Sequence, residues 1–465
     1  MKSFTRIFSK NRMKSLVVLA GLFLFVQGAL ISQVYEYNDS WGTSGYTLES
    51  HDNNKVTINY SIEQFTLTPM QLNGEEMLNV ELPGQMLWND EGAPNLPGSG
   101  RYIAVPQGAE AVLRIVDART ETFSNVNIAP SPRIPWETED DPLEYNIDPE
   151  IYNVDKAYPA EPIKISDLDQ IRGVDVVMLG ITPFQYNPVT KELTVYRDIK
   201  VEITFNGGSG HFGEDRLRSR WWDVLLSDIL LNHESMPKIN YNPSFQATDD
   251  MGCEYLIISP TGADFLQWAD SIKTFRTLQG IETDIVTVDE IGGNNANTIE
   301  TYINDAYANW DIVPSVFMLL GDYGTNATNS VISPIYDNYC VSDNIYGDIN
   351  NNHMPDIMTA RLTAANASQL ETMVTKFINY ERNPPTNPDF YNNPMTCLGY
   401  QTERWFQICT ESVAGFWENE LGKTTTRVNA IYNGNPNSGT WSTATNTNTV
   451  LNIFGPNALD YITAS

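Results

Sequence analysis

Between Gln33 and about Phe205, apolar and polar residues alternate in short runs broken by Pro, Gly and Asn. Residues 55–60 (KVTINY), 101–105 (RYIAV), 111–116 (AVLRIV), 175–179 (DVVML), 193–196 (LTVY) and 200–205 (KVEITF) carry this pattern. Period-two alternation rich in β-branched residues predicts half-buried strands, and its recurrence predicts a β-sandwich-like domain over 33–206. No helix-period stretch of useful length falls there. Pro130, Pro132 and Pro135 with the acidic residues 137–141 predict a long exposed loop.

The pattern changes at 207–250. Gly207, Gly208, Gly210 and Gly213 predict a flexible entry, and the apolar residues 221–231 a short helix, so this stretch reads as a linker. Between them lies the cluster Arg216, Arg218 and Arg220, either a processing site on an exposed joint or a solvated charged patch. From 251 to 465 short apolar runs alternate with helical periodicity. Strands are predicted at 254–259, 283–288, 315–320, 356–360, 395–400 and 426–432, and helices at 263–278, 298–310, 368–380, 411–421 and 445–454. Gly280 suits a C′ cap after the first of those helices. Such alternation builds a parallel sheet with helical crossovers, an α/β domain of Rossmann-like type.

Lys2, Arg6, Lys10, Arg12 and Lys14 precede an apolar run at 16–26 and the small residues Gly28, Ala29 and Ser32. A basic lead, a short apolar core and a small-residue exit predict a signal peptide over 1–32, too short to span a bilayer as a helix. The expected product is secreted or held at the cell surface, with no transmembrane helix after cleavage. A formal net charge of −30 excludes a nucleic-acid partner, since no segregated basic patch offsets it. The four cysteines, Cys253, Cys340, Cys397 and Cys409, make no CxxC pair, which argues against a disulfide-dense scaffold or a structural zinc.

No GxGxxG or P-loop follows the first strand of the α/β region, and no GxSxG or HExxH segment is present, so no nucleotide site, serine-hydrolase elbow or zincin helix is expected. A Cys–His dyad needs thiol and imidazole on adjacent strand ends. None of His51, His211, His233 or His353 is placed that way. In open parallel sheets ligands gather beyond the carboxyl ends of the strands, which points to Ser259–Gly262 and to Gly321, Asp322 and Tyr323. The strongest local motif is Asp348, Asn350, Asn352 and Asp356, whose spaced side-chain oxygens suit calcium. His353 stands where an EF-hand loop has glycine, and an Asx-rich turn is the other reading.

The segments Ser342–Gly347 (SDNIYG), 355–361 (PDIMTAR) and 370–383, closing on YERN, resemble the gingipain-type cysteine peptidases, with Ala360 where glycine is usual. Upstream, 92–97 (GAPNLP), 103–108 (IAVPQG) and 196–205 (YRDIKVEITF) resemble the propeptide of the same family. The resemblance implies a propeptide over 33–206 in contact with a caspase-like α/β catalytic domain over 251–465, incomplete at its C-terminal end. It implies calcium in some members and protein or peptide substrates. The catalytic Cys and His would fall after Ser465, so no catalytic residue is carried over and the chain alone is expected to be inactive. The competing reading is a non-catalytic, calcium-binding or adhesive surface module.

Overall fold

The computed structural model describes residues 32–85, 90–133, 143–241, 251–398, 405–419, 421–431 and 442–443. The signal peptide, most of the predicted acidic loop and the predicted helix at 445–454 lie outside them.

Elements are numbered in chain order. The first half is almost wholly β. β1 (Gln33–Glu36), β4 (Gln64–Leu72) and β5 (Glu75–Glu81) form one antiparallel sheet. β6 (Ser99–Ala104), β8 (Ile163–Ile165), β9 (Asp169–Ile171) and β10 (Val174–Ile181) form a second. β2 (Gly45–His51), β3 (Lys55–Ser61), β7 (Ala109–Ser124), β11 (Phe184–Asn187) and β12 (Glu192–Gly207) form the third. All pairings are antiparallel. The alternation anticipated from sequence is what buries one face. Val56, Ile58 and Tyr60 of β3 and Val201 and Ile203 of β12 meet Phe65, Ile103 and Phe184 in one core.

Two stretches expected as separate strands, 193–196 and 200–205, are one continuous β12. The polar residues between them do not break it, because Asp198 lies at a bulge and is wholly buried. Its carboxylate accepts hydrogen bonds from Ser61 Oγ (2.7 Å), the Trp41 N–H (2.8 Å) and Arg119 Nε (2.8 Å). Burial of a paired carboxylate at a bulge explains why a charge tolerates this core position. A short helix, α1 (Pro149–Tyr152), was not anticipated; Asp148 caps it and proline opens it. The other helices follow from α2 (Trp222–Ile229) onward.

The second half alternates. β13 (Tyr255–Ser259), β14 (Thr283–Thr287), β15 (Val316–Leu320) and β18 (Met358–Leu362) pair in parallel in the order β14-β13-β15-β18. Between β15 and β18 lies the small hairpin β16 (Ile335–Tyr336) and β17 (Cys340–Val341). Helices α3 (Ala263–Leu278) and α7 (Ala367–Arg382) cover one face through Phe265, Ile272, Leu370 and Val374. The other face packs on Ile299, Ile303 and Ala306 of α5 (Ala296–Asn309), which follows the short α4 (Val288–Ile291). Helical spacing on α3 and α5 thus becomes burial on opposite sides of one sheet. Gly280 takes φ +76° after α3, the left-handed conformation that its cap position requires. α6 (Asn344–Gly347) leads to the Asp348 loop, and α8 (Pro388–Asn392), α9 (Trp405–Asn419) and the parallel pair β19 (Met395–Leu398) and β20 (Thr426–Ile431) follow.

Candidate functional site

The strand order places a topological switch between β13 and β15, where parallel sheets hold their ligands at the carboxyl ends. Ser259–Gly262 and Gly321–Tyr323 meet there, as the sequence suggests. The segment 322–333 folds back across these ends. Ala327 O accepts from the Thr261 N–H (2.8 Å) and Oγ1 (3.0 Å), and Thr328 O accepts from the Gly262 N–H (3.1 Å). Gly321 (φ +97°) is forced, since a Cβ there would lie 2.6 Å from Asn329 O.

Arg361, in β18, fastens the same edge. It pairs with Asp343 through Nε and Nη2, both at 2.7 Å, and its Nη1 donates to Gly321 O (3.0 Å) and Val331 O (2.8 Å). Asn294 donates to Gly324 O and Ser330 O and accepts from the Ile332 N–H. The SDxxYG and PDIxxAR segments are therefore joined by one ion pair that levels the carboxyl edge into a hydrogen-bonded floor. Asp322 and Tyr323 are exposed on it.

No nucleophile with a base stands on this floor among the described residues. Cys253 precedes β13 at the opposite edge, and burial pushes its thiol up to about 12, which suppresses the thiolate. His51 Nδ1 meets Ser235 Oγ (2.9 Å) and His211 Nε2 meets Asp215 (3.0 Å). The His233 ring is held below its ordinary value by burial, and the His353 ring stands edge-on to Tyr336. None of these partners is a cysteine.

The Asp348 loop closes on its own oxygens. Asp348 accepts the Asn352 N–H (3.0 Å) and the His353 N–H (2.9 Å), and Asn352 Oδ1 accepts the Met354 N–H (2.9 Å). Asn352 Nδ2 donates to Asp169 Oδ1 (2.6 Å) and Gln170 O (2.7 Å), while Asn350 Nδ2 also reaches Gln170 O (3.4 Å). The loop thus grips β9, as an Asx-rich turn does. Asp356 is buried and receives the Arg172 N–H at 2.7 Å; burial pushes its carboxyl up to about 6. Among the described residues no group of three or more His, Cys, Asp or Glu side chains is arranged to hold a metal ion.

The arginine cluster differs from a free joint. Arg216 Nη1 donates to Tyr307 O (2.8 Å) and Trp310 O (3.0 Å) at the end of α5, where a cation is favoured. Arg218 is buried and paired with Asp223. Arg220 pairs with Glu254 (2.9 Å) and reaches Gly280 O (2.7 Å). Glycines suggested flexibility, but charge and hydrogen-bonding capacity in 216–222 are consumed by docking. On the other side, buried Asn232 exchanges hydrogen bonds with Ala104 of β6.

Arg172 was not apparent as a functional residue. It and Gly173 form the tight β9–β10 turn with φ +49° and +73°, and only the glycine signals that turn in the sequence, since arginine is not a residue such turns favour. Nothing in the sequence marks the arginine as buried, yet it is 0% exposed. Nε donates to Leu217 O (2.6 Å), Nη1 to Pro314 O (2.9 Å) and Asp356 O (2.7 Å), and Nη2 to Val313 O (3.3 Å). The guanidinium lies over the Trp222 and Tyr307 rings at 5.4 Å from each centroid. The two halves are therefore in direct intramolecular contact.

A β half docked onto a parallel α/β half defines a two-part chain, and among the described residues the carboxyl edge of its second part holds no Cys–His pair. Family models agree: the C25 propeptide model matches residues 44–219 and that of peptidase family C25 matches 248–462. The chain belongs to the gingipain-type cysteine peptidases of family C25. Lys-gingipain of Porphyromonas gingivalis is 22% identical over 440 residues, covering 90% of this chain and 23% of that protein. Gingipain R2 of the same organism is 25% identical over 309 residues, covering 64% and 39%. This chain thus spans well under half the length of either relative. Among solved structures, a complex of Porphyromonas gingivalis RgpB pro- and mature domains shares 23% identity at a TM-score of 0.37, covering 41% of this chain and 97% of that one.

Proposed function

We propose that the chain is the front portion of the precursor of a secreted cysteine endopeptidase, with a propeptide over 33–206, a joint over 207–250 and a caspase-like catalytic domain begun at 251. The observation that carries this reading is the consecutive match to the propeptide and peptidase models, meeting at the docked joint. In the completed enzyme a thiolate would attack the peptide carbonyl, break the C–N bond with departure of the protonated amine to leave a thioester acyl-enzyme, and be regenerated when water hydrolyses that thioester to the acid. This chain's own part is to supply the floor at the carboxyl edge, held by Arg361 and Asp343, against which a substrate strand would lie. Residues 1–32 would direct export.

Processing is proposed at Arg216, Arg218 or Arg220. Because all three are docked, a protease would reach them only after local opening, so cleavage should be slow and speed up with mild denaturant. Incubation with an active relative, followed by sequencing of the new N-terminus, tests this; cuts confined to other loops remove it. For the activity, the full natural product is assayed on protein substrates before and after loss of the β half. Expected is iodoacetamide-sensitive hydrolysis appearing after that loss, and its absence in the processed product would refute the peptidase reading. A calcium ion at the Asp348 loop would compete with two backbone N–H groups. Any binding should lie at about 0.1–1 mM, as in weak extracellular sites, and vanish in D348N on calorimetric titration.

A further inference from the structure

We infer that Arg172 is the anchor of a clasp that grips the α/β half by the amino ends of its parallel strands and keeps the β half bound after the joint is cut, without itself occupying the carboxyl edge. That the halves touch is visible; the inference is which residue carries the contact and which edge it leaves free.

The docking groups follow the amino edge of the sheet in order. Arg220 reaches Glu254 before β13 and Gly280 O near the start of β14. Ser219 Oγ meets Ser315 Oγ (2.7 Å) and Trp222 Nε1 donates to Ser315 O (3.3 Å), just before β15. Arg172 takes the carbonyls of Val313 and Pro314 before β15 and that of Asp356 before β18. The carboxyl edge, with Asp322, Tyr323 and Arg361, lies at the other end of the same strands.

Of these groups, only Arg172 is both fully buried and contributed by the β half proper. Its backbone and side chain together make five hydrogen bonds, four to the α/β half and one to the joint at Leu217. Among the described residues, other links from the β half to the second half include the Asp348-loop contacts to Asp169 and Gln170, the Tyr102 hydroxyl beside Met354 Sδ (3.6 Å), and the packing of Met354 and Met358 on the β-half core. Removing the guanidinium would strip several buried carbonyls of their donor at once, and such groups are costly when left unpaired. Central, desolvated arginines over aromatic rings are the residues on which interfaces depend.

The test uses the full chain with a site-specific protease sequence inserted within 242–250. The folded protein is cut and association is followed by size exclusion and by dissociation rate. The wild-type halves are expected to co-elute at micromolar concentration, and R172A to bind about 100-fold more weakly. Y323A, at the opposite edge, should leave dissociation unchanged. Should R172A fail to accumulate as folded protein, R172K, which keeps the charge but loses the fan of donors, is read instead, and dissociation at least about tenfold faster is expected. Wild-type halves that separate on cutting, or arginine variants that dissociate at the wild-type rate, overturn the inference. Only association is measured, so the result stands apart from whether the completed protein is a peptidase.

Discussion

Replacing Asp356 by asparagine should change how the joint responds to pH. Asp356 accepts the Arg172 N–H, is 1% exposed and sits near Arg172, Tyr307 and Asp348. Burial raises its carboxyl from the usual 3.8 to about 6 despite the nearby guanidinium. The docked form therefore holds a proton more tightly than the released form. Its contribution to stability is complete below pH 4 and is lost as pH rises through 6. A shift of that size corresponds to roughly 3 kcal/mol over the whole window, about 2 kcal/mol of it between pH 4.5 and 7.5. Asparagine keeps an oxygen for the Arg172 N–H and carries no charge at either pH. Glu381 and Glu418, held low by Arg276 and Arg427, respond in the opposite sense and lose stability as pH falls. They are common to both proteins and cancel in the comparison. Urea unfolding at pH 4.5, 5.5, 6.5 and 7.5 should show D356N gaining on wild type by about 2 kcal/mol across the series. A difference that stays constant within about 0.5 kcal/mol would refute the buried-acid argument.

Three further outcomes follow from local geometry. Gly252 holds φ +128° and a Cβ there would strike the Ile312 carbonyl, so G252A should lose about 2–4 kcal/mol, seen as a lower thermal midpoint. Asn366 caps α7 by accepting the Gln369 N–H at 3.1 Å, so N366A should cost about 1 kcal/mol by urea unfolding. Arg276 ties α3 to Glu381 of α7 at 2.7 and 2.9 Å and lies over Phe275 and Phe377. R276A should cost about 1–3 kcal/mol at pH 7 and less as pH falls through the depressed Glu381 range, which a pH series of melts would show.

The α/β half was the more legible, because helical and strand periods differ strongly there. The bounds read for α3 from Phe265, Ala269, Ile272 and Phe275 agree with the helix observed, and β13, β15 and β20 fall within a residue or so. The β half yielded β3, β6, β7, β10 and β12 but not β1, β2, β4, β5, β8, β9 or β11. Gln64–Leu72 carries a proline and Glu75–Glu81 mixes acids with apolar residues, so only pairing with neighbours makes them strands. The carboxyl edge was placed by the rule for parallel sheets, while the Arg361–Asp343 pair that organises it depends on residues 18 apart meeting in space. Arg172 shows the limit most clearly. Its partners are 45 to 184 residues away and nearly all are backbone carbonyls, which every residue possesses and no sequence pattern advertises.

The sixteen-residue β7 pairs, among the described residues, only with β12. A ribbon of that length offers a second chain a ready template, and Val112, Ile115 and Val116 on it are exposed. Glu110, Arg114 and Asp117 interrupt those side chains, and the bulges opposite Tyr196–Asp198 and Lys200–Val201 bend the ribbon out of plane. The protein thus carries its own guard against fibre-like stacking. Neutralising those three charges should raise the tendency of copies to pair along this ribbon.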